Sequence, residues 1–328
     1  MRTAVLILAL TALACLAETG REAARIGVHE WGVLVYGDDA QSGMLMGLPE
    51  DRTEPAAVRA PVVYFHGPEF QGTFTVTLPG GEFTQTLPEP SELECNVAVW
   101  ELDASWERER RDSADPTALS ASRGVPAGGD PHWADVASMM LRTGTGAVSR
   151  YLFYECSLRP ALLEPDAWLT PVAYDGSELL LPPLLAIPEV PLDPELLVLA
   201  QSGDGPVIWR GTGAQLAEAG LEGLEWSPYS RDLAMRALMD WNGTLLEPDE
   251  LGVMWDTWES WAVRRDNPEG FVILSPLRQD KLGLISRLTL DTEYQNPVVY
   301  SRFYLGALVL SDEVPVRRVS PDEGQDLR

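Results

Sequence analysis

The chain has 328 residues, of which 45% are hydrophobic, and its 50 acidic residues outnumber the 24 basic ones, so the formal net charge is −26. Because a charge of this sign repels nucleic acid, we expect no nucleic-acid partner. The acidic residues are spread along a chain of ordinary hydrophobic content, which excludes a disordered protein and predicts a globular one.

The first residues have the pattern of an export signal. Arg2 precedes an apolar run of eleven residues at 4–14, which is too short to cross a membrane but has the length of a secretory signal core. The run ends in Thr-Ala-Leu-Ala-Cys, which resembles a bacterial lipobox. We interpret residues 1–17 as a signal peptide with a lipobox that ends at Cys15: the chain is cut before Cys15 and the thiol then carries lipid, so that the membrane is reached through the lipid anchor alone. The alternative is ordinary cleavage after Ala17.

The first half of the remaining chain is patterned as β-strands. Alternating apolar residues or β-branched and aromatic runs predict strands at 26–37, 60–67, 96–102 and 148–156. The sequence GTFTVTLPGGEFTQTL, residues 72–87, alternates on both sides of Pro79-Gly80-Gly81 and predicts a β-hairpin.

In the second half of the chain the spacing of the hydrophobic residues changes. Residues 160–194 contain eight prolines, which exclude a long helix there. Two apolar runs around the Ser-Gly-Asp-Gly turn at 202–205 predict a hairpin. Residues 228–265 then follow helical spacing, with a stop at Asn242-Gly243, and predict two antiparallel helices. The tryptophans of the second helix have core spacing, which indicates packing rather than ligand binding: Trp255, Trp258 and Trp261.

Three further strands after the helices complete the predicted fold. The fold class is α+β: a β-rich, sandwich-like arrangement of antiparallel sheets with an inserted two-helix hairpin near residues 228–265. We expect one large unit over residues 22–312, with a candidate division near 185–194, and a loose polar tail over 313–328.

Several short sequence words occur together in a way that resembles one known group. They are His29-Glu30-Trp31-Gly32, PVVYFHGP at 61–68, HWADVA at 132–137, SRYLFYE at 149–155 and MWDTWESWAVRRDNPEGFVILSP at 254–276. The chain thereby resembles an uncharacterised family of exported bacterial proteins with an N-terminal His-Glu-Trp-Gly strand motif. It departs from the family pattern at Val33-Leu34 and at Glu155-Cys156. The resemblance implies export and a single folded unit, and it implies no catalytic residue.

The only histidines are the candidate metal ligands: His29, His66 and His132. Three imidazoles, or two with Glu30, would give a zinc site with an open coordination position. Neighbouring strand residues point to opposite faces, so His29 and Glu30 need a bulge to bind one ion. Plain structural histidines, or a histidine acting as acid or base, are the alternatives.

The strand at residues 28–35 predicts different surroundings for neighbouring side chains. His29 shares a face with Trp31 and Val33, so we expect it to lie toward the core with a hydrogen-bond partner. Glu30 lies on the other face beside Gly32, where we expect a surface or cleft interaction.

Two cysteines remain if Cys15 carries lipid. An exported protein with an even number of cysteines can form disulfides, which permits a bridge between Cys95 and Cys156. Both lie in strand-like sequence. Two buried free thiols are the alternative.

Two classes of function stay open. The first is a non-enzymatic envelope lipoprotein, at the outer membrane or cell surface, that binds a protein or glycan partner or serves a structural role and needs no cofactor. The second is a metal-assisted hydrolase that uses His29, His66 and His132 with zinc, with Glu30 as a weak catalytic candidate. Without lipid, the same chain would be soluble in the periplasm or secreted.

The lipobox interpretation predicts that Cys15→Ser moves the protein from the membrane fraction to the soluble fraction, because the lipid is the expected anchor. Fractionation of cells that express the parent and the variant measures this. An unchanged distribution would contradict lipidation at Cys15.

Overall fold

The computed structural model describes residues 24–37, 44–45, 61–106, 124–159, 169–181, 193–263, 270–293, 296–311 and 313–319. The predicted signal peptide and Cys15 lie outside these residues. Among the helices that the structure describes, none is long and apolar enough to cross a membrane.

The described residues form β-strands for the most part. In chain order, the strands are β1 (Ile26–Gly37), β2 (Met44–Leu45), β3 (Val62–His66), β4 (Phe70–Thr77), β5 (Gly81–Leu87), β6 (Glu92–Leu93), β7 (Val97–Ser105), β8 (Met140–Thr143), β9 (Val148–Ser149), β10 (Leu152–Leu158), β11 (Ala173–Tyr174), β12 (Leu179–Leu181), β13 (Glu195–Ser202), β14 (Gly205–Thr212), β15 (Ser227–Pro228), β16 (Phe271–Pro276), β17 (Arg287–Thr292), β18 (Val298–Leu310) and β19 (Val316–Arg318). The helices are α1 (Gly213–Ala219), α2 (Arg231–Asn242), α3 (Pro248–Val263) and α4 (Leu282–Ile285), with 3-10 turns at Pro131–Asp135 and Gln279–Lys281.

The largest sheet in the described part of the chain has ten strands, and β1 lies in its middle. On one side β1 pairs in parallel with β18, and beyond β18 come β16, β13, β14 and β15. On the other side β1 pairs antiparallel with β3 and β2, which lead to β10 and then β5. Both edges of β1 are therefore hydrogen-bonded, and its side chains are covered on both faces of the sheet.

Two smaller sheets accompany the large one. The first has the order β17-β4-β7-β8-β9, with β6 beside β7, and the second has the order β11-β12-β19. Apolar side chains of β4 and β7, including Phe74 and Trp100, share one core cluster with Val28 and Tyr154 of the large sheet. This packing of sheet on sheet confirms the predicted β-rich α+β fold.

The other face of the large sheet is covered by α2 and α3. Trp31 of β1 belongs to a second core cluster with Trp255 and Trp258 of α3. The predicted helical hairpin is therefore confirmed, and both of these helical tryptophans are packing residues, since each is at most 2% exposed. The molecule thus has three layers: helices, the large sheet, and the smaller sheets.

One predicted hairpin is confirmed and the other is wrong. β13 and β14 pair antiparallel up to Ser202 opposite Gly205, as the sequence predicted. β4 and β5, in contrast, belong to different sheets: β4 pairs with β7 and β17, whereas β5 pairs with β10. Gly81 is needed for the approach of β10, because an added Cβ would lie 2.2 Å from the Ser157 carbonyl oxygen.

Part of the predicted loose tail is also ordered. Residues 316–318 form β19, which pairs in parallel with β12, and Val319 is buried. Residues 320–328 lie outside the described part. The large sheet contains strands from both sides of the candidate division near 185–194.

Glu30 is buried, so the expectation that it meets a surface or cleft is wrong. Register places it beside Arg302 of β18, whose Nε donates to Glu30 Oε2 at 2.5 Å. The Tyr154 hydroxyl donates to the other oxygen at 2.6 Å. Burial disfavours the charged form of Arg302, but the interactions around it, of which the Glu30 carboxylate gives the largest, together raise the pKa of Arg302. Arg302 also donates to the backbone oxygen and hydroxyl of Ser286, which links β18 to the end of α4.

Gly32 is required by the same strand pair. Register places it beside Tyr304, and a Cβ on Gly32 would lie 2.8 Å from the tyrosine ring. The Arg302 guanidinium lies 5.5 Å from the centre of that ring, so the ring also takes part in holding the buried charge. In the His-Glu-Trp-Gly motif, Glu30 thus serves a buried ion pair and Gly32 makes room for the Tyr304 ring.

We expect Glu30→Ala to destabilise the fold by about 3–5 kcal/mol, because it leaves the Arg302 charge buried without its partner. Urea unfolding measures the change. Asp280→Ala is the control, since it breaks an exposed pair with Arg278 and should cost about 1 kcal/mol or less. Equal costs for the two variants would contradict a stabilising role for the Glu30 network.

Candidate metal centre

His29 and His66 lie on the helix-facing side of the large sheet. His29 alternates with Trp31 and Val33, which both belong to the core beneath the helices. His66 alternates in the same way with Val62 and Tyr64. The expectation that His29 lies toward the core with a hydrogen-bond partner is confirmed, since its side chain is 14% exposed and pairs with Glu250.

Strand register brings the two imidazoles together. β1 and β3 pair so that Gly27 faces His66 and His29 faces Tyr64. The two histidines are therefore diagonal neighbours, and their ring centres are 4.4 Å apart. Gly27 leaves the space that the rings use, because a Cβ at this position would lie 3.3 Å from His29 Nε2.

The third member of the group is Glu250 in the first turn of α3. Its Oε2 lies 2.9 Å from His29 Nδ1, and its Oε1 lies 2.9 Å from His66 Nε2. Oε2 also accepts the backbone N–H of Glu247 at 2.7 Å, as the third residue of a helix often does for the residue before the helix. The start of α3 therefore fixes the carboxylate against both histidines.

The charge on Glu250 follows from these contacts. Burial raises the pKa of this carboxyl, but the hydrogen bonds from His29 and His66 outweigh burial, so the pKa of Glu250 is lowered. An ionised carboxylate only accepts hydrogen bonds. His29 Nδ1 and His66 Nε2 are then the donors in these two contacts.

An open cleft of about 570 Å³ reaches this group from solvent. The residues that line it are Arg25, Gly27, His29, His66, Gly67, Ala137, Glu247, Asp249 and Val299. Sheet residues of β1, β3 and β18 line one side of the cleft, which we call the floor, and the start of α3 lines the rim. Glu250 is fully buried behind the imidazoles, so a ligand in the cleft would meet the group from the side of the histidines.

The donor set of this group fits a transition metal ion. One ligand atom from each of His29, His66 and Glu250 can be chosen so that all three lie within 4.8 Å of one another. Two imidazoles and one carboxylate are a known ligand set of catalytic zinc. Bonds of about 2.0–2.1 Å in a tetrahedral site put ligand atoms roughly 3.3 Å apart. The two 2.9 Å contacts reach different oxygens of Glu250, so a single ion would take the place of the hydrogen-bonding protons between the imidazoles and this carboxylate.

The predicted ligands separate into two groups. His29 and His66 are brought together, but His132 is not: its side chain is 76% exposed, and its Nδ1 lies 3.8 Å from an oxygen of Asp135. Glu30 lies on the opposite face of β1 and is paired with Arg302, so it cannot be the carboxylate of this site. The period of two in a strand explains both the success with His29 and the exclusion of Glu30.

Sequence reasoning did not identify Glu250. Its place in Pro248-Asp249-Glu250 is that of an ordinary helix start, where acidic residues are common. It is separated from His29 by 221 positions and from His66 by 184. No local pattern connects residues at such distances.

The predicted disulfide is not present. Cys95 and Cys156 are both free thiols, the first exposed and the second fully buried. Burial raises the pKa of the Cys156 thiol, and the nearby Glu30 carboxylate raises it further, so this thiol is unreactive in the folded protein.

No protein-family model, no curated protein and no solved structure matches this chain.

We expect Glu250→Gln to destabilise the protein by about 1–3 kcal/mol, because the amide keeps the size of the side chain but cannot accept from both histidines and Glu247 as a carboxylate does. Thermal and urea unfolding measure the loss. Glu247→Gln in the same turn is the control, since its exposed side chain should change stability by less than about 0.5 kcal/mol. A Glu250→Gln variant that unfolds like the parent would show that the contact does not hold the helix on the sheet.

Proposed function

We propose that this protein is a metal-assisted hydrolase that binds a zinc-like divalent ion through His29, His66 and Glu250. The observation that carries the proposal is the convergence of two imidazoles and one buried carboxylate at the floor of an open cleft. These three residues lie close together, whereas the predicted set of three histidines does not, because His132 lies apart from the other two.

The chain supplies the environment that such an ion needs. Glu250 contributes a negative charge that is shielded from water, and the backbone N–H of Glu247 holds one of its oxygens in place. When bound, an ion with an open coordination position polarises a carbonyl group and lowers the pKa of water. The cleft leaves room for a small ligand beside His29 and His66.

A second candidate is a histidine that acts as acid or base without metal. Glu250 accepts from His29 Nδ1 and leaves Nε2 free above Gly27, a residue of the cleft floor. A carboxylate that orients an imidazole in this way is common in general base catalysis. The non-enzymatic binding or structural role is the third possibility, and metal content separates the first from the other two.

The location of the protein is part of the proposal. The signal-like first residues, the lipobox at Cys15 and the resemblance to an exported family support a lipoprotein of the bacterial cell envelope. A zinc-dependent activity outside the cytoplasm would then act on molecules of the envelope or its surroundings.

The test is metal binding by the full chain purified without a histidine tag. Elemental analysis should find one zinc ion per chain, and zinc at 100 times its dissociation constant should raise the unfolding free energy by about 2.7 kcal/mol. His29→Ala and His66→Ala should abolish both effects. His132→Ala is the matched control and should bind zinc as the parent does.

Two outcomes would contradict the proposal. If neither bound zinc nor stabilisation by added zinc is found, the metal site is wrong, and the metal-free histidine base and the non-enzymatic role remain. If His132→Ala loses zinc while His29→Ala keeps it, the ion is held elsewhere.

A further inference from the structure

The floor of the cleft carries a positive charge next to the histidines. Arg25 precedes β1 and continues the row of odd-numbered residues through Gly27 and His29, so it lies on the same face of the sheet. Four residues of strand separate the Cα atoms of Arg25 and His29 by roughly 13 Å. No carboxylate among the described residues pairs with Arg25, and Gly27 adds no side chain of its own between Arg25 and the His29 ring.

The wall of the cleft carries the opposite charge. Glu247 and Asp249 stand at the start of α3 and are both exposed. Asp249 accepts the backbone N–H groups of Ala137 and Glu250, which fixes its position at the rim. The Glu247 side chain accepts no hydrogen bond from the described residues, so its carboxylate is available to a ligand.

We propose that the cleft binds short peptides with a free carboxyl group and a free amino group. The ligand carboxylate pairs with Arg25, the ammonium group lies by Glu247 and Asp249, and the peptide backbone between them passes the group formed by His29, His66 and Glu250. This assignment of a ligand class rests on the proposed metal site.

The size and the charges of the cleft argue against other classes of ligand. A volume of about 570 Å³ is in the range of small-molecule sites and is too small to enclose a folded protein. Polyanions such as nucleic acids are repelled by the two rim carboxylates and by the net charge of −26. A purely cationic ligand would leave Arg25 unpaired. Val299, which is 42% exposed at the floor, offers contact to an apolar side chain of the peptide.

The experiment is calorimetric titration of the zinc-loaded full chain with triglycine, N-acetyl-triglycine and triglycinamide. Triglycine should bind best, and blocking either end should weaken binding roughly tenfold, since each block removes one charge-assisted contact. Each peptide is also titrated into zinc alone and into zinc-free protein, which separates chelation of the metal from binding in the cleft.

Variants that remove one charge show which residue of the cleft binds each end of the peptide. Arg25→Gln should weaken triglycine roughly tenfold and leave triglycinamide unchanged, because the amide has no carboxylate to lose. Glu247→Gln should weaken triglycine but not N-acetyl-triglycine. Arg278→Gln, an exposed arginine outside the cleft, is the control and should change nothing.

The outcomes separate the two proposals. Zinc bound at one ion per chain with equal binding of the three peptides, or with no peptide binding, would overturn the ligand class and leave the metal site intact. Failure of zinc uptake by the parent would overturn both. An effect of Arg25→Gln on zinc content instead of on peptide affinity would also overturn the ligand class.

Discussion

The parallel pairing of β1 with β18 is the constraint on which the rest of the structure depends. It joins strands from opposite ends of the chain along twelve registered positions, from Ile26 with Val298 to Gly37 with Val309. With β3 and β2 on its other edge, β1 becomes an interior strand whose two faces serve different purposes. One face meets the smaller sheets and carries the buried Glu30 network, and the other meets the helices and carries His29. A shift of this register by one residue would exchange the two faces and destroy both.

The contact of Glu250 with the two histidines connects this sheet to the helical layer. Most of that interface is apolar, so it provides stability but little directional preference. The carboxylate adds direction, because its two oxygens accept from imidazoles on two different strands. The same geometry that fixes α3 on the sheet collects a metal ligand set, so structural and chemical roles coincide at Glu250. A buried carboxylate with partners on two strands is costly to lose, which gives the site a fixed geometry in the absence of any ligand.

The cleft lies where the start of the helical layer meets the ends of strands in the sheet. α3 begins at Pro248, and the cleft is lined by Glu247 and Asp249 at this start and by Gly27 and His66 near the strand ends. The start of the helix places acidic side chains at the rim, while the sheet places Arg25 and the imidazoles on the floor. An open site with charges of both signs around a convergent ligand set agrees better with recognition of a small polar molecule than with a purely structural role.

The sequence by itself identified several of the long elements and the two strand histidines. Periods of two and 3.6 identified β1, the β13–β14 hairpin and the α2–α3 pair, because these patterns record which faces are buried. Alternation also put His29 with Trp31, away from Glu30. Only the tertiary structure decided which strands pair: Pro79-Gly80-Gly81 passes the chain between sheets instead of closing a hairpin. The partners of Glu30 and of the histidines lie more than 120 positions away along the chain, and local periodicity contains no record of strand order. That is why Glu250, an unremarked helix-start residue in the sequence, became the carboxylate of the candidate site only when the layers were assembled.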